Sequence, residues 1–298
     1  MSGLNRYHAL MVLPVLFWAG NALVGRATVG EVPPLALSFW RWALALLIVL
    51  PFTFRDVWGA RAVFLARWKV VLGMGLFSVA AYNTLLYLAL QTTTAINATL
   101  VAASMPVMML GLSRLWLKDP IRLRQGGGIL LSLAGVLAVV AQGDPARLAA
   151  VGLTGGDLLM LAAVLSWAIY SIMLRRYPMP VGGLTLLTVL ILVGVLAILP
   201  LYLWELATGA LIRPQWTAWA AIAYTAVFPS VLAYYFWNRG VQVLGASVAG
   251  QYTYLMPLFT AILAVALLDE RFRWFHGLGG GLIFAGIWLT TTKASRPR

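Results

Sequence analysis

The stretch Ala246–Pro257, ASVAGQYTYLMP, repeats the pattern of Ala95–Pro106, AINATLVAASMP, and both stretches end in Met-Pro. At the same spacing downstream, Asp119 corresponds to Glu270, and each precedes a glycine-rich segment. Several motifs recur at nearly the same spacing, which predicts that the chain contains an internal duplication. The further corresponding pairs are Trp18 with Trp167, Ala81-Tyr82 with Ala233-Tyr234, Gly126 and Gly128 with Gly277 and Gly279, and Ala134-Gly135 with Ala285-Gly286.

Long apolar runs surround these motifs. A hydrocarbon core of about 30 Å is crossed by about 20 apolar residues at 1.5 Å each. Measured this way, the chain divides into ten predicted membrane spans, and no connection between them is long enough for a soluble domain. The spans fall near residues 8–28, 33–54, 69–90, 94–117, 123–141, 155–175, 183–206, 215–238, 246–268 and 275–292.

The composition excludes a soluble protein. Hydrophobic residues make up 62% of the chain and charged residues 10%, whereas a soluble domain carries roughly 25% charged residues. The net charge of +13 comes from Lys and Arg in short clusters between apolar runs, as in the loops of membrane proteins, so we expect no nucleic-acid partner. The chain has no cysteine and only two histidines, and we expect neither a metal nor a cofactor.

The basic residues predict the orientation. Ten spans place both termini on one side of the membrane. With the termini in the cytoplasm, fifteen of the 21 Lys and Arg residues lie inside, five lie outside, and Arg41 lies within the second span. This three-to-one bias predicts cytoplasmic termini.

Five spans in each half is an odd number, so the second half must enter the membrane in the opposite direction. Residues 1–145 form the first predicted five-helix repeat and residues 146–298 form the second, inverted one. The predicted fold class is therefore an all-α membrane protein with ten transmembrane helices in two inverted repeats. Inverted repeats with a site between them are a recurrent basis of alternating access, so we treat both halves as one transport unit.

Four sets of motifs carry a family resemblance. FWAGN lies at Phe17–Asn21 and PPLALSFWRWALA at Pro33–Ala45, two helices contain Met-Pro, and GGGILLSLAGV and GLGGGLIFAGI follow Asp119 and Glu270. Together they cover essentially the whole chain and resemble the EamA-type, ten-helix branch of the drug/metabolite transporter superfamily. Asp119 is a departure, because the family usually has glutamate there.

Within that superfamily, the aromatic content of the spans looks like that of the bacterial aromatic amino acid exporters. The resemblance implies a multi-pass protein of the bacterial inner membrane that exports aromatic and other neutral amino acids through a central cavity. The implied partners are a small-molecule substrate and the lipid bilayer, and the implied assembly is a monomer or a dimer. Efflux of drugs or other small metabolites is the alternative that the same resemblance supports.

Polar and aromatic side chains within the spans are candidates for a cavity, since polar groups in a bilayer are costly and usually face a cavity or each other. Aromatic faces accept an apolar side chain or an ammonium, while amides and hydroxyls bond amino and carboxylate groups. The set therefore suits a zwitterion, although the same residues can instead join helices or anchor them at the interface. The predicted substrate-binding residues are Trp18, Asn21, Tyr82, Asn83, Asn97, Ser104, Trp167, Tyr170, Tyr234, Tyr235, Asn238, Gln251 and Tyr254.

Arg41 is the basic residue inside a span. We predict that it either contacts a substrate carboxylate or snorkels outward between Trp40 and Trp42 to reach backbone carbonyls and the interface. Pro106, Pro229 and Pro257 interrupt predicted helices and are candidates for gating, or else static kinks.

The acidic residues all fall at span ends or in loops. Because proton-coupled carriers commonly use an intramembrane carboxylate or histidine, the sequence predicts facilitated transport. The spans hold no acid–base or metal-ligand cluster in the sequence, so we expect no enzymatic activity. The alternative of another class is a channel or a membrane scaffold that transports nothing.

Overall fold

The computed structural model describes residues 3–28, 30–93, 95–149, 152, 154–268 and 273–291, and within these ranges the regular structure is entirely helical. Glu270, one of the repeat residues, lies outside the described residues. The long helices and their internal segments are α1 (Gly3–Leu10 and Val12–Ala27), α2 (Pro34–Gly59), α3 (Trp68–Gly75, Leu76–Ala81 and Tyr82–Ala89), α4 (Ala95–Ala102, Met105–Leu112 and Ser113–Leu117), α5 (Leu123–Val140), α6 (Gly155–Arg176), α7 (Gly183–Ala207), α8 (Trp216–Thr225, Ala226–Leu232 and Ala233–Leu244), α9 (Ala246–Gln251, Tyr252–Leu255 and Met256–Leu268) and α10 (Trp274–Thr291).

Eight of these helices, α1 to α8, are long and apolar enough to cross a membrane. Their outer surfaces expose large apolar side chains, such as Phe52 at 80% and Leu130 at 68%, which water would not favour but lipid does. The prediction of a multi-pass, all-helical membrane protein is therefore confirmed. Helices α9 and α10 lie where the last two spans were predicted, and the count of ten spans stays a prediction.

Two sets of helix ends define the two faces of the molecule. At one face Arg67 donates a hydrogen bond to the Pro178 carbonyl at 2.9 Å, and Arg175 lies 3.8 Å from Asp119. We call this the arginine-rich face. The other, which carries Glu205, is the opposite face. There the Glu205 carboxylate accepts the backbone N–H groups of Leu35 and Ala36 at 3.0 and 2.6 Å, and so holds the end of α7 to the start of α2.

Glycines bring α5 and α10 into backbone contact. A Cβ atom on Gly128 would lie 2.5 Å from the Gly286 carbonyl oxygen, and one on Gly135 would lie 2.6 Å from that of Gly279. These four residues are the ones that correspond across the repeat. Because only glycine permits such an approach, the glycine-rich segments are explained by helix packing.

We expect Gly135→Ala and Gly286→Ala each to lower the stability of the purified protein in detergent by about 1–3 kcal/mol, because the new methyl group collides with a backbone carbonyl that cannot move aside. Thermal unfolding measures the change. Gly281→Ala is the matched control on α10, since a Cβ atom there meets nothing within 4 Å. Equal stability of all three variants would contradict this account of the packing.

Candidate functional site

Wide helical turns position the centre of the molecule. Helix α3 widens to a π-helical turn at Leu76–Ala81, and α8 does so at Ala226–Leu232. The two turns lie in corresponding helices of the repeat, and each ends directly before or within the Ala-Tyr pair of its half: the first ends at Ala81 and the second at Leu232. Because a π turn breaks the regular ladder, it leaves carbonyl groups free to accept side chains, and such turns are frequent at functional sites.

Carbonyl groups in and beside these two π turns accept hydrogen bonds from side chains. The Ser78 carbonyl accepts the Tyr234 hydroxyl at 2.8 Å and the Asn83 amide at 3.3 Å. In α8 the Pro229 carbonyl accepts Trp18 Nε1 at 3.1 Å, and Ser230 donates to the Thr225 carbonyl at 2.7 Å. The π turns thus join α3 to α8 and α8 to α1.

Seven aromatic side chains form a cluster at this centre. Trp167 is its hub, with ring centroids 5.2 Å from Trp18, 4.9 Å from Tyr82, 5.3 Å from Tyr170 and 4.9 Å from Tyr234. Six of the seven are buried and Tyr82 is half-buried. The rings pack mainly edge to face or tilted, which aromatic pairs prefer. The aromatic cluster consists of Trp18, Trp42, Tyr82, Trp167, Tyr170, Tyr234 and Trp237.

Arg41 lies beside this cluster in a ring of neutral oxygens. It is fully buried. Its Nε donates to Ser230 Oγ at 2.8 Å, and its Nη1 donates to Asn83 Oδ1 at 2.9 Å and to the Tyr87 hydroxyl at 2.7 Å. Asn21 Oδ1 accepts from the same Nη1 at 3.3 Å and from Tyr87 at 3.0 Å. Residues from α1, α2, α3 and α8 therefore meet at one cation, and we call this group the arginine hub.

The hub carries an uncompensated charge. Within the described residues no carboxylate forms an ion pair with Arg41. The rings of Trp42 and Tyr87 lie 5.0 and 5.9 Å from its guanidinium carbon, so cation–π contacts offset part of the cost. An arginine at the centre of a membrane span costs about 2.5–3.5 kcal/mol even on insertion scales. A buried cation of this kind is a strong candidate to receive an anionic group.

A pocket opens on the arginine-rich face between α6, α7 and α8. Its volume is 420 Å³, within the roughly 300–1,000 Å³ of small-molecule sites. Asn238 lines it and accepts the Tyr170 hydroxyl at 2.5 Å, which links the pocket to the aromatic cluster. The pocket is lined by Leu174, Arg175, Pro178, Met179, Val181, Gly183, Leu186, Tyr235, Asn238, Arg239 and Gln242.

Comparison with known proteins identifies the family. Two segments of the chain, residues 5–141 and 154–292, match the EamA-like transporter family. The chain belongs to the EamA-like transporter family. The match to two segments confirms the duplication and the superfamily inferred from the motifs, and it shows a membrane transport protein.

Relatives of this EamA-like transporter match along nearly their whole length. "Uncharacterized transporter YyaM" of Bacillus subtilis is 28% identical over 96% of this chain and 93% of its own. An "Uncharacterized transporter" of Archaeoglobus fulgidus is 29% identical over 97% of this chain and 98% of its own. A crystal structure shares the fold, with a TM-score of 0.76 at 21% identity over 96% of both chains.

The structure of this EamA-like transporter places nine of the thirteen predicted substrate-binding residues in the aromatic cluster, the arginine hub and the pocket. Trp18, Tyr82, Trp167, Tyr170 and Tyr234 belong to the aromatic cluster. The other four are Asn21 and Asn83, which belong to the arginine hub, and Tyr235 and Asn238, which line the pocket.

Four predicted residues of this EamA-like transporter lie elsewhere. Asn97 donates to the Asp157 carboxylate and the Gly152 carbonyl, both at 2.8 Å, and so binds the start of α6. Ser104 donates to the Val101 carbonyl at 2.6 Å where α4 is interrupted. Gln251 Oε1 and the Tyr254 hydroxyl are buried without a hydrogen-bond partner.

Arg41 does not snorkel, so that alternative is wrong. Its side chain is buried and points to the hub, Trp42 is fully buried, and Trp40 donates instead to the Tyr202 hydroxyl at 3.2 Å. The cause is the ring of side-chain oxygens from other helices, which satisfies the guanidinium inside the protein.

Several functional candidates were missed from the sequence. Trp42, Trp237, Tyr87 and Ser230 all contact the cluster or the hub. Tyr87 shares a helix face with Asn83, although it is not among the predicted site residues, and the spacing of Trp237 from Tyr234 is a similar signal. No sequence pattern linked Ser230 to Arg41.

The three prolines lie at irregular turns. Pro229 lies in the π turn of α8. Pro106 and Pro257 begin new helical segments after the breaks in α4 and α9, and a Cβ atom on Gly250 of α9 would lie 3.5 Å from Pro106 Cα. Their gating role stays a prediction.

Proposed function

We propose that this EamA-like transporter exports amino acids, aromatic and other neutral ones, by alternating access between two inverted repeats. The observation that supports it best is the arginine hub, a buried cation without a carboxylate partner beside an aromatic cluster. In this proposal Arg41 binds the substrate carboxylate, and the rings of Trp18, Trp167 and Tyr234 contact its apolar side chain during transport. In this proposal the basic-loop bias assigns the arginine-rich face to the cytoplasm. The membrane is an inner membrane, as for the relative "Uncharacterized inner membrane transporter YedA" of Escherichia coli.

The contacts at the two faces of the molecule agree with transport out of the cytoplasm. At the opposite face the Glu205 carboxylate accepts hydrogen bonds from the start of α2, and the rings of Phe39 and Tyr202 stack with their centroids 4.6 Å apart. At the arginine-rich face the pocket is open. Substrate would therefore reach the pocket from the cytoplasm while the outer side is closed.

Facilitated transport remains the proposed mechanism. The residues that surround Arg41 are Asn, Tyr and Ser, and arginine stays protonated at physiological pH. The buried carboxylates of Asp157 and Glu205 lie at helix ends and accept hydrogen bonds there. The hub thus contains no group that would exchange a proton in each cycle.

A second candidate is efflux of other organic carboxylates. The same uncompensated charge favours any anionic group and disfavours cationic drugs, because like charges in a medium of low polarity repel strongly.

The test is exchange in proteoliposomes. Vesicles loaded with unlabelled L-phenylalanine should take up labelled L-phenylalanine in a saturable way without a pH gradient. L-Phenylalaninamide, which keeps the ring and amine but lacks the carboxylate, should exchange about 100-fold less well, as expected for the loss of a charge-assisted contact. Exchange of an unrelated solute but of no amino acid would reject the proposal, non-saturable flux would indicate a channel, and accumulation driven by a pH gradient would reject the facilitated mechanism.

A further inference from the structure

The internal repeat relates the arginine hub to the pocket on the other side of the membrane. The spacing that pairs Tyr82 with Tyr234 also pairs Asn83 with Tyr235 and Tyr87 with Arg239. In the first half, Asn83 and Tyr87 bind the guanidinium of Arg41. In the second half, the residues at the corresponding positions line the pocket.

Helices α1 and α6 extend the correspondence. The register that pairs Trp18 with Trp167 pairs Asn21 with Tyr170. Asn21 accepts a hydrogen bond from Arg41 in the hub, and Tyr170 donates one to Asn238 in the pocket wall. Corresponding positions thus carry polar side chains in both groups, while the cations come from different places: Arg239 corresponds to Tyr87, and Arg41 lies on α2.

The two groups lie at similar depths from opposite faces. Arg41 is seven residues into α2 from the opposite face, and Asn238 is six residues from the arginine-rich end of α8. At 1.5 Å per residue these depths are roughly 10 and 9 Å. The aromatic cluster separates them.

The pocket contains donors without acceptors. Asn238 is 4% exposed, and while its Oδ1 accepts from Tyr170, its buried Nδ2 has no hydrogen-bond partner. A buried amide donor left unpaired destabilises the folded protein. A ligand oxygen at this position would remove that cost.

Arg239 supplies an available charge at the rim. Its guanidinium is exposed and lies 5.9 Å from the Tyr7 ring. Arg175 is the other cation of the pocket, and it lies 3.8 Å from Asp119. Arg175 and Asp119 form the ion pair that is present among the described residues. Arg239 therefore has no carboxylate partner there, and a carboxylate between it and Asn238 Nδ2 would satisfy both.

A continuous line of contacts joins Asn238, next to Arg239 in the chain, to Arg41. It runs from Asn238 to Tyr170, whose ring centroid is 6.5 Å from that of Tyr234. Tyr234 accepts the Asn83 amide at 2.9 Å, and Asn83 binds Arg41. A substrate that leaves the pocket would reach the hub along this line.

We propose that the pocket is a second, cytoplasmic-side binding site for the substrate carboxylate, in which Arg239 and Asn238 hold the anionic group before it passes the aromatic cluster to Arg41. This proposal rests on the proposed function, since it takes the substrate to be a carboxylate. It makes the two cations the two ends of one transport path.

Two measurements test the site. In inside-out vesicles, which present the cytoplasmic face, Arg239→Gln and Asn238→Ala should each raise the half-saturating concentration of L-phenylalanine about tenfold, as expected from losing a charge-assisted or buried hydrogen bond. In right-side-out vesicles the half-saturating concentration should change less than twofold. Arg176→Gln is the matched control, because Arg176 is exposed beside Arg175 but does not line the pocket.

The second measurement does not depend on transport. An arginine-specific dicarbonyl reagent is applied to inside-out vesicles, and mass spectrometry follows modification of Arg239 and Arg176. L-Phenylalanine should slow the modification of Arg239 and leave that of Arg176 unchanged, while L-phenylalaninamide should protect neither. Equal protection of both arginines, or equal protection by the amide, would overturn the site. If L-phenylalanine protected Arg239 but no flux of L-phenylalanine were measured, the binding site would stand and only the proposed function would be overturned.

Discussion

Arg41→Gln is expected to reduce exchange of L-phenylalanine about 100-fold, since hydrogen bonds to a charged group contribute about 1.5–3 kcal/mol each and a bound carboxylate would lose more than one. Stability should fall by about 1–3 kcal/mol, because the buried oxygens of Ser230, Asn83 and Tyr87 lose their donor. The decisive readout is selectivity. In the variant, L-phenylalanine and L-phenylalaninamide should exchange at rates within about threefold of each other, because the group that distinguishes them is gone.

Two further variants separate charge from packing at this position. Arg41→Lys keeps the charge but not the planar fork that reaches Asn83 and Ser230 together, so exchange should fall about tenfold while the preference for the carboxylate remains. Arg55→Gln is the control, because Arg55 is an exposed arginine on the same helix. If Arg41→Gln preferred L-phenylalanine over the amide as strongly as the unmodified protein does, the hub would be a structural element and not a substrate contact.

Trp167→Ala is expected to abolish exchange and to destabilise the protein by about 3–5 kcal/mol, the usual cost of removing a buried tryptophan. The indole is 1% exposed and packs against rings from α1, α3, α6 and α8. Thermal unfolding and exchange, measured on the same preparation, report the two effects.

Phenylalanine substitutions separate packing from hydrogen bonding. Trp167 Nε1 has no partner, whereas Trp18 Nε1 donates to the Pro229 carbonyl of the π turn. Trp167→Phe should therefore keep most of the exchange activity. In Trp18→Phe the exchange rate should fall about fivefold to tenfold, because one hydrogen bond is lost. A larger loss in Trp167→Phe than in Trp18→Phe would contradict the role assigned to the π turn.

Much of the central cluster could be predicted because the repeat restricts which residues can meet. Trp18 and Trp167 correspond, as do Tyr82 and Tyr234, and corresponding residues meet at a twofold axis when each of them lies close to it. Their meeting at the centre is therefore a consequence of duplication, visible in the sequence as paired motifs. Helical spacing puts Asn83 on one face with Tyr87, and Asn238 on one face with Tyr235.

Helical spacing failed where the helices are not regular. Asn97 and Ser104 are seven residues apart, a spacing that puts them on one face of an uninterrupted helix, but α4 stops at Ala102 and resumes at Met105. Gln251 and Tyr254 are three residues apart in the same kind of pattern, but a 3₁₀ turn begins at Tyr252. A turn of three residues rotates the faces that follow it, so a period of 3.6 no longer predicts which side chains align.

The sequence alone determined that the protein lies in a membrane, that its chain is duplicated, and which aromatic residues pair across the repeat. These follow from local properties, namely the apolar length of each segment and the register of the motifs. Only the tertiary structure decided the state of Arg41. Its four acceptors come from α1, α3 and α8, and two of the four, Ser230 and Asn83, depend on π turns for their position. Whether a membrane arginine snorkels outward or stays inside depends on oxygen atoms that other helices supply. The residue pattern of its own helix does not indicate where those atoms lie.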